Sequence, residues 1–176
     1  MKFKTTPSVV VRILLWVVLL FGGAIYAIAR DWDAPLFRNL WFHLITASLG
    51  ILLLILAFRA AGNGGRELAK VRVGDIPRLE TNRLVTTGIY SCMRHPMLFG
   101  LTLLPPGWAL LLRSPTFITI LAPLEMLFIV MMVLIFEERE AVGKFGEAYL
   151  RYRRKVPPVS FRPDCLKRLF SKHCAT

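Results

Sequence analysis

The chain has 176 residues, of which 55% are hydrophobic, and its mean hydropathy is +0.54. A soluble domain usually contains about 45–50% apolar residues, and here the excess is concentrated in long runs. The formal net charge of +12 would suit a soluble nucleic-acid-binding protein, but so small a chain could not also bury these runs. The composition therefore favours a single membrane domain and excludes that soluble class.

Four apolar runs of membrane-spanning length follow one another. They are Ile13–Ala29, Trp41–Phe58, Pro96–Leu112 and Pro115–Phe136. About 20 residues of helix cross the hydrocarbon core of a bilayer, and a helix satisfies its own backbone hydrogen bonds, which lipid cannot do. We expect an all-α integral membrane bundle with about four transmembrane helices, of which the last two form a tight hairpin.

Basic residues are distributed unevenly among the connections. Most lie before the first run, in the connection Arg59–His95 and in the tail after Glu137, whereas the first connection holds Arg30 and Arg38 and the third only Arg113. Because cytoplasmic loops are rich in Lys and Arg, we expect a multi-pass protein with both termini in the cytoplasm. The first run also resembles a signal peptide, but its length favours a retained helix.

These runs divide the chain into four parts. We assign residues 1–58 to the first two transmembrane helices, 59–95 to a cytoplasmic connection, 96–158 to the hairpin and helix that form the site, and 159–176 to a basic tail. Within the connection, Gly62-Asn63-Gly64-Gly65 follows a span and not a strand, so it lacks the context of a dinucleotide-binding loop. We interpret it as a flexible exit from the second span. The tail Arg162–Lys172 predicts attraction to anionic lipid.

The polar segment Glu137–Lys155 predicts an amphipathic cytoplasmic helix that continues from the fourth run. One face carries residues that recur at helical spacing: Glu138, Val142, Phe145, Tyr149 and Tyr152. Such an aromatic stripe is more often packing than a cofactor wall. Val156-Pro157-Pro158 should end the helix, because proline cannot continue it.

The segment Gly88–Gly100 leads into the third run and carries side chains suited to a binding site. Arg94 offers a planar fork of donors that fits a carboxylate, and His95 can donate, accept or act as a base. Pro96 suits the first turn of a helix, and Gly100 permits close approach of another helix or a ligand. An interfacial boundary with a basic anchor would contain the same residue types.

Carboxylates occur at two unusual positions. Glu137-Glu138, at the cytoplasmic end of the fourth run, could hold a cation, although a solvated helix start would look alike. Glu125 lies inside the fourth run, two residues after Pro123. An intramembrane carboxylate is costly and by default functional, unless it is protonated or hydrogen-bonded within the bundle.

The three cysteines, Cys92, Cys165 and Cys174, form no CxxC pair and no zinc-binding spacing. This pattern predicts free thiols on a reducing cytoplasmic side, and no metal site.

Together these motifs resemble a known family. Arg94-His95-Pro96-Met97, followed by Glu137-Glu138, Phe145-Gly146-x-x-Tyr149-x-x-Tyr152 and Val156-Pro157, is similar to the isoprenylcysteine carboxyl methyltransferase family. Membrane phospholipid methyltransferases share much of this pattern. The likeness covers roughly Arg83–Pro158. It departs at Leu98, where the family usually has tyrosine, and at Ile89, where it often has proline.

The resemblance implies an S-adenosylmethionine-dependent methyltransferase whose lipophilic substrate enters from the bilayer. Its cofactor pocket would be formed by Tyr90, Arg94, His95, Pro96, Gly100, Glu137, Glu138, Tyr149 and Tyr152. We expect Arg94 and Glu138 to hold the carboxylate and amino groups of the cofactor, facing each other across a nucleoside cleft, and His95 to shape the adenosine side. The candidate catalytic residues are Arg94, Glu125 and Glu137, the glutamates because a neutral amine must lose a proton.

Two other classes remain open. Membrane sterol reductases share an Arg-His-Pro element and a similar aromatic tail but use NADPH; the glutamate pair favours a cationic methyl donor over that polyanion. The other class is a non-enzymatic scaffold or small transporter. Transporters often have broken helices, and Pro105-Pro106-Gly107 and Pro123 could break helices here. The acceptor could be a prenylated protein, a phospholipid amine, or a small lipophilic acid or thiol.

Overall fold

The structure is a computed structural model, and it describes residues 7–71, 74 and 82–170. Its α-helices are α1 (Pro7–Asp31), α2 (Leu40–Val71), α3 (Pro96–Leu112), α4 (Ala122–Met132), α5 (Glu138–Lys155) and α6 (Pro163–Phe170). Short 3-10 helices occupy Pro35–Arg38 and Gly88–Ser91, and π-helical segments occupy Phe117–Leu121 and Val133–Glu137. No strand occurs in these residues, so the all-α prediction is confirmed. The basic residues before Pro7, Lys172 and Cys174 lie outside the described part.

Three helical runs in the described part are long and apolar enough to cross a membrane: Leu14–Asp31, Leu40–Val71 and Phe117–Lys155. Their outward side chains are large and apolar; for example, Val18 is 67% exposed and Ile25 is 72% exposed. Such an apolar surface is typical of contact with lipid. The fourth expected span, α3, is apolar but has only 17 residues, so a count of four spans remains a prediction.

The predicted flexible exit after the second run is wrong, because α2 continues to Val71 through Gly62-Asn63-Gly64-Gly65. Tertiary contacts outweigh the low helix propensity of glycine. A Cβ on Gly64 would lie 3.0 Å from Met97 Cγ, so the missing side chain lets α2 and the start of α3 approach closely. The Asn63 amide also donates a hydrogen bond of 2.7 Å to the Leu169 carbonyl in α6.

The tight turn between the third and fourth apolar runs is confirmed. Arg113 adopts a positive φ of 63° directly after α3 ends. Asp31 at the end of α1 holds the next segment, since its carboxylate accepts hydrogen bonds from the Ser114 hydroxyl and from the Thr116 N–H (2.9 Å). The short connection is therefore anchored by a buried carboxylate from another helix.

The fourth run is one helical path interrupted by wider turns. The π-helical segment Phe117–Leu121 immediately precedes Ala122-Pro123, and such segments are a recognised way of accommodating an irregularity in a helix. The path continues into α5, which ends at Lys155 before the two prolines, as predicted. Gly146 interrupts α5 with φ 52° and ψ −133°, a break that was not predicted.

The chain divides into two compact units, not one. The first contains Met1–Ile55 and Thr102–Phe128, and the second contains Leu56–Leu101 and Ile129–Thr176. In the first unit, the core is formed by Leu20, Ala24, Ala27, Ala109, Phe117 and Ala122. In the second unit, the buried residues include Arg94, Pro96, Glu138, Tyr149 and Tyr152.

Candidate active site

The backbone of the Arg94-His95 segment is held by the chain that follows α5. The Arg94 N–H donates to the Pro157 carbonyl at 2.9 Å, and the His95 N–H donates to the Pro158 carbonyl at 3.0 Å. Because proline ends α5, these carbonyls are free of helical partners and can accept the two bonds. Pro96 then begins α3, so one short stretch positions both side chains.

Glu138 is the centre of the polar cluster in the second unit. Arg94 Nη1 lies 2.7 Å from Glu138 Oε1 and donates to Oε2 at 2.9 Å. His95 Nε2 lies 2.7 Å from Oε1, and the Tyr149 hydroxyl donates to Oε1 at 3.0 Å. The side chains of Arg94 and Glu138 are each only 7% exposed. Buried charges require such partners, so the cluster is built to hold a carboxylate and a guanidinium together.

The expected cleft between Arg94 and Glu138 is therefore closed, since the two charges are in direct contact. The roles that we assigned to the two residues in cofactor binding stay a prediction. One donor remains unused: Arg94 Nε is buried and has no hydrogen-bond partner among the described residues. An unpaired buried donor is costly, which marks this atom as a place for a ligand acceptor.

Aromatic side chains enclose the cluster on the α5 side. The Arg94 guanidinium carbon lies 6.0 Å from the centre of the Tyr149 ring, within the range of a cation–π contact. The rings of Tyr149 and Tyr152 are 6.1 Å apart in an edge-on arrangement. The predicted face of α5 is thus buried at Glu138, Tyr149 and Tyr152.

A second link joins α5 to the segment before Arg94. The Tyr152 hydroxyl donates to the Tyr90 carbonyl at 2.5 Å. Burial, and then the negative charges of Glu137 and Glu67, raise the pKa of the Tyr90 phenol well above its ordinary value. Tyr90 is therefore a neutral phenol at physiological pH, able to donate a hydrogen bond.

The remaining predicted residues differ in their placement. Glu137 Oε2 lies 3.8 Å from His95 Nδ1, and its side chain is 55% exposed. Pro96 is buried at the start of α3. A Cβ on Gly100 would lie 2.5 Å from the Ala57 carbonyl oxygen, so Gly100 permits close packing of α3 on α2. All three belong to the second unit.

Glu125 belongs to the first unit and is not part of this cluster. Its side chain lies against α1, where a Cβ on Gly23 would be 3.3 Å from Glu125 Oε1. Its other carboxylate oxygen is buried without a partner among the described residues. Of the candidate catalytic residues, Arg94 and Glu137 thus belong to the second unit and Glu125 to the first.

Two features near the site were missed or misjudged. Glu67 of α2 is 7% exposed, pairs with Lys70 at 2.6 Å and fits against Gly88, whose φ is +59°. No spacing in the sequence links it to the motif.

Cys92 and Cys165 form a disulfide, so the prediction of free thiols is wrong for this pair. Pairing of cysteines separated by 73 positions cannot be deduced from spacing alone.

Comparisons with known proteins agree with the motifs. A family model described as phospholipid methyltransferase matches residues 39–148. Protein-S-isoprenylcysteine O-methyltransferase B of Arabidopsis thaliana is 31% identical over 116 residues, which cover 66% of this chain and 56% of the relative. The match thus spans little more than half of that relative's length. The resemblance predicted from the motifs is confirmed, and because the family model covers more than half of the sequence, the chain belongs to the phospholipid methyltransferase family.

Proposed function

We propose that this chain is an integral membrane methyltransferase that uses S-adenosylmethionine to methylate a lipophilic acceptor. The observation that supports this most is the convergence of Arg94, His95 and Tyr149 on the buried carboxylate of Glu138. These contacts hold the Glu138 carboxylate and the Arg94 guanidinium side by side in the protein interior, and they are the two charges that the amino and carboxylate groups of the cofactor would need. Family membership and the name of the Arabidopsis relative support the same reaction class.

The residues present fit the charged end of the cofactor. That end carries one carboxylate and one amino group. On binding, Arg94 could pair with the cofactor carboxylate and Glu138 with the cofactor amino group, in place of their contact with each other. Neither buried charge would then be left unpaired, which would otherwise cost several kcal/mol, about 3–5. Arg94 Nε, unsatisfied in the structure, adds a donor for the carboxylate. His95 would lie beside the adenosine group of the cofactor. Tyr90, Tyr149 and Tyr152 would enclose the cofactor.

When bound, S-adenosylmethionine would supply a methyl group already activated by its sulfonium. The protein then has mainly to align donor and acceptor and exclude water, and such alignment can supply about 7–11 kcal/mol in favourable cases. A carboxylate or thiolate acceptor needs no base. An amine must lose a proton, and the half-exposed Glu137 beside His95 is the better placed group of the second unit to take it. Glu125 remains a candidate, since one of its carboxylate oxygens has no hydrogen-bond partner among the described residues.

The acceptor is a membrane-partitioned molecule with a reactive carboxylate, amine or thiol, which enters laterally between helices because its tail prefers lipid. The names of the family and of the relative point to a phospholipid or an isoprenylcysteine. In this proposal both termini face the cytoplasm, and the basic surface attracts anionic lipid.

Binding titrations with the purified full chain in detergent test this proposal. We expect S-adenosylmethionine to bind, and Arg94→Ala or Glu138→Ala to weaken binding at least about tenfold, the equivalent of one lost charged contact. Arg139→Ala and Glu140→Ala are matched controls, since both side chains are exposed on the same helix, and should bind normally. Unchanged affinity in the Arg94 and Glu138 variants would remove these assignments. Tight NADPH binding without S-adenosylmethionine binding would favour a reductase instead.

A further inference from the structure

A cavity of about 370 Å³ lies in the second unit. It is lined by Thr86, Ser91, Arg151, Tyr152, Lys155 and Val156. None of these residues except Tyr152 belongs to the cluster around Glu138. The volume falls within the range of small-ligand sites, about 300–1,000 Å³, so it can accept a compact group together with water.

Two cationic side chains, Arg151 and Lys155, belong to the lining. Arg151 and Lys155 are four residues apart on α5, where side chains at this spacing face the same way. Neither has a carboxylate partner among residues 82–170. Two like charges at this spacing repel each other, and a bound anion would relieve the repulsion.

A third cation reaches the same wall from α6. Arg168 Nη1 donates to Ser91 Oγ at 2.8 Å and lies 3.4 Å from the Gly88 carbonyl oxygen. Ser91 Oγ in turn donates to the Gly88 carbonyl at 2.8 Å. This chain of bonds holds the Arg168 guanidinium beside Ser91, which lines the cavity. Thr86 adds a residue with a hydroxyl group to the lining.

We propose that this cavity is a phosphate-binding site formed by Arg151, Lys155, Arg168 and Thr86. Guanidinium and ammonium groups with a neighbouring hydroxyl are the donors that phosphate prefers, because charge-assisted hydrogen bonds to its oxygens are strong. The anion is either free phosphate or the phosphate of a lipid headgroup. This inference does not rest on methyl transfer, since the site is defined by its own side chains.

The cavity shares walls with the candidate active site. Tyr152 belongs to the lining, and its hydroxyl donates a hydrogen bond to the Tyr90 carbonyl. Val156, also in the lining, directly precedes the two carbonyls that hold the Arg94-His95 backbone. A bound phosphate would therefore lie next to the segment that positions these two residues.

Calorimetric titration of the full chain in neutral detergent tests the site. The probes are inorganic phosphate, dihexanoyl phosphatidic acid and, as a probe without phosphate, dihexanoylglycerol. The double variant Arg151→Gln/Lys155→Gln should lose roughly tenfold or more in affinity for the phosphate-bearing probe. The charge-preserving exchange Arg151→Lys/Lys155→Arg should keep most of it. The matched controls Arg154→Gln and Lys144→Gln, exposed on the same helix, should stay within about twofold, as expected of surface charges.

The outcomes are distinct. Tighter binding of the short phosphatidic acid than of inorganic phosphate would assign the site to a lipid headgroup, and equal affinities would assign it to the free ion; both support the proposal. Equal losses in the control variants would show only diffuse attraction to a basic surface and overturn it. So would the absence of binding of both phosphate-bearing probes to the unaltered chain.

Discussion

At the scale of single residues, the site depends on how Glu138 is satisfied. A carboxylate offers about four lone-pair positions for donors, and Arg94, His95 and Tyr149 occupy most of them. Arg153 adds a longer contact of 3.6 Å from the exposed side. The buried charge is therefore stable only while its partners remain, and this dependence gives a direct test.

Replacing Arg94 by methionine should destabilise the second unit by about 3–5 kcal/mol, because it leaves the Glu138 charge buried without its main partner. The double variant Arg94→Met/Glu138→Met removes both charges and should cost less than Arg94→Met alone. Denaturant unfolding in mixed micelles measures both, with Arg139→Met as the exposed control. A double variant less stable than the single one would contradict the ion-pair account.

Tyr90 gives a prediction about alkaline pH. Because its folded-state pKa is raised, the unfolded chain loses the phenolic proton first, at about pH 10. The contribution of the Tyr90 proton to the free energy of unfolding is then fully present below that pH, and it is lost as the pH rises above it. We expect the apparent melting temperature to fall less between pH 9 and pH 11, roughly spanning the ordinary tyrosine pKa, in Tyr90→Phe than in the unaltered chain. Equal falls would show that the folded state does not hold this proton more tightly.

The sequence identified Arg94, His95, Glu138, Tyr149 and Tyr152 because their residue types and spacing carry the family motif. It could not reveal that Arg94 and Glu138 contact each other, since spacing along two segments does not determine side-chain direction. Glu67 was missed because only the fold brings α2 to Gly88.

At the scale of elements, close packing between helices depends on glycines whose roles differ. Gly100 fits against the Ala57 carbonyl, whereas a Cβ on Gly143 would meet nothing within 4 Å. The sequence predicted close approach at Gly100 from its place in an apolar helix. The prediction that Gly62-Asn63-Gly64-Gly65 ends the helix was wrong. The low helix propensity of glycine is a local property, whereas the contacts of Gly64 with Met97 depend on the fold.

Gly100→Val should therefore force α2 and α3 apart and cost more than about 1–3 kcal/mol, the usual range for overpacking. Gly143→Ala on exposed α5 should be neutral or stabilising by up to about 1 kcal/mol, since alanine favours the helix. Melting temperatures of the two variants in the same detergent check this pair. Equal tolerance of both changes would contradict the packing at Gly100.

The last helix, α6, is fastened to the segment that carries the site. The Cys92–Cys165 disulfide and the bonds of Arg168 to Gly88 and Ser91 join it there, and Asn63 joins it to α2. Loop closure over 73 residues corresponds to about 4 kcal/mol in the chain-entropy model.

Reduction with a dithiol, or Cys165→Ser, should lower the melting temperature and increase amide hydrogen exchange in Pro163–Phe170. Cys174→Ser serves as the matched control and should change neither. Identical exchange in α6 with and without reductant would show that the disulfide does not fasten this helix.

At the scale of the whole molecule, composition predicted the class of protein well. The apolar runs correspond to long helices with exposed apolar faces, because bilayer thickness imposes a length that sequence displays directly. The division into two compact units was not predicted, since one continuous helix such as α2 contributes to both. The orientation of the termini remains a prediction from the distribution of Lys and Arg.

We propose that the cluster around Glu138 serves methyl transfer to a membrane-partitioned acceptor. The most direct measurement incubates the purified chain with radiolabelled S-adenosylmethionine and a total lipid extract, then identifies the labelled product by mass. We predict label in an apolar product with the unaltered chain and with Arg139→Ala, and at least about a hundredfold less with Glu138→Gln, the equivalent of two lost charge-assisted contacts. Equal labelling by Glu138→Gln, or no lipophilic product from the unaltered chain with any extract, would contradict the account.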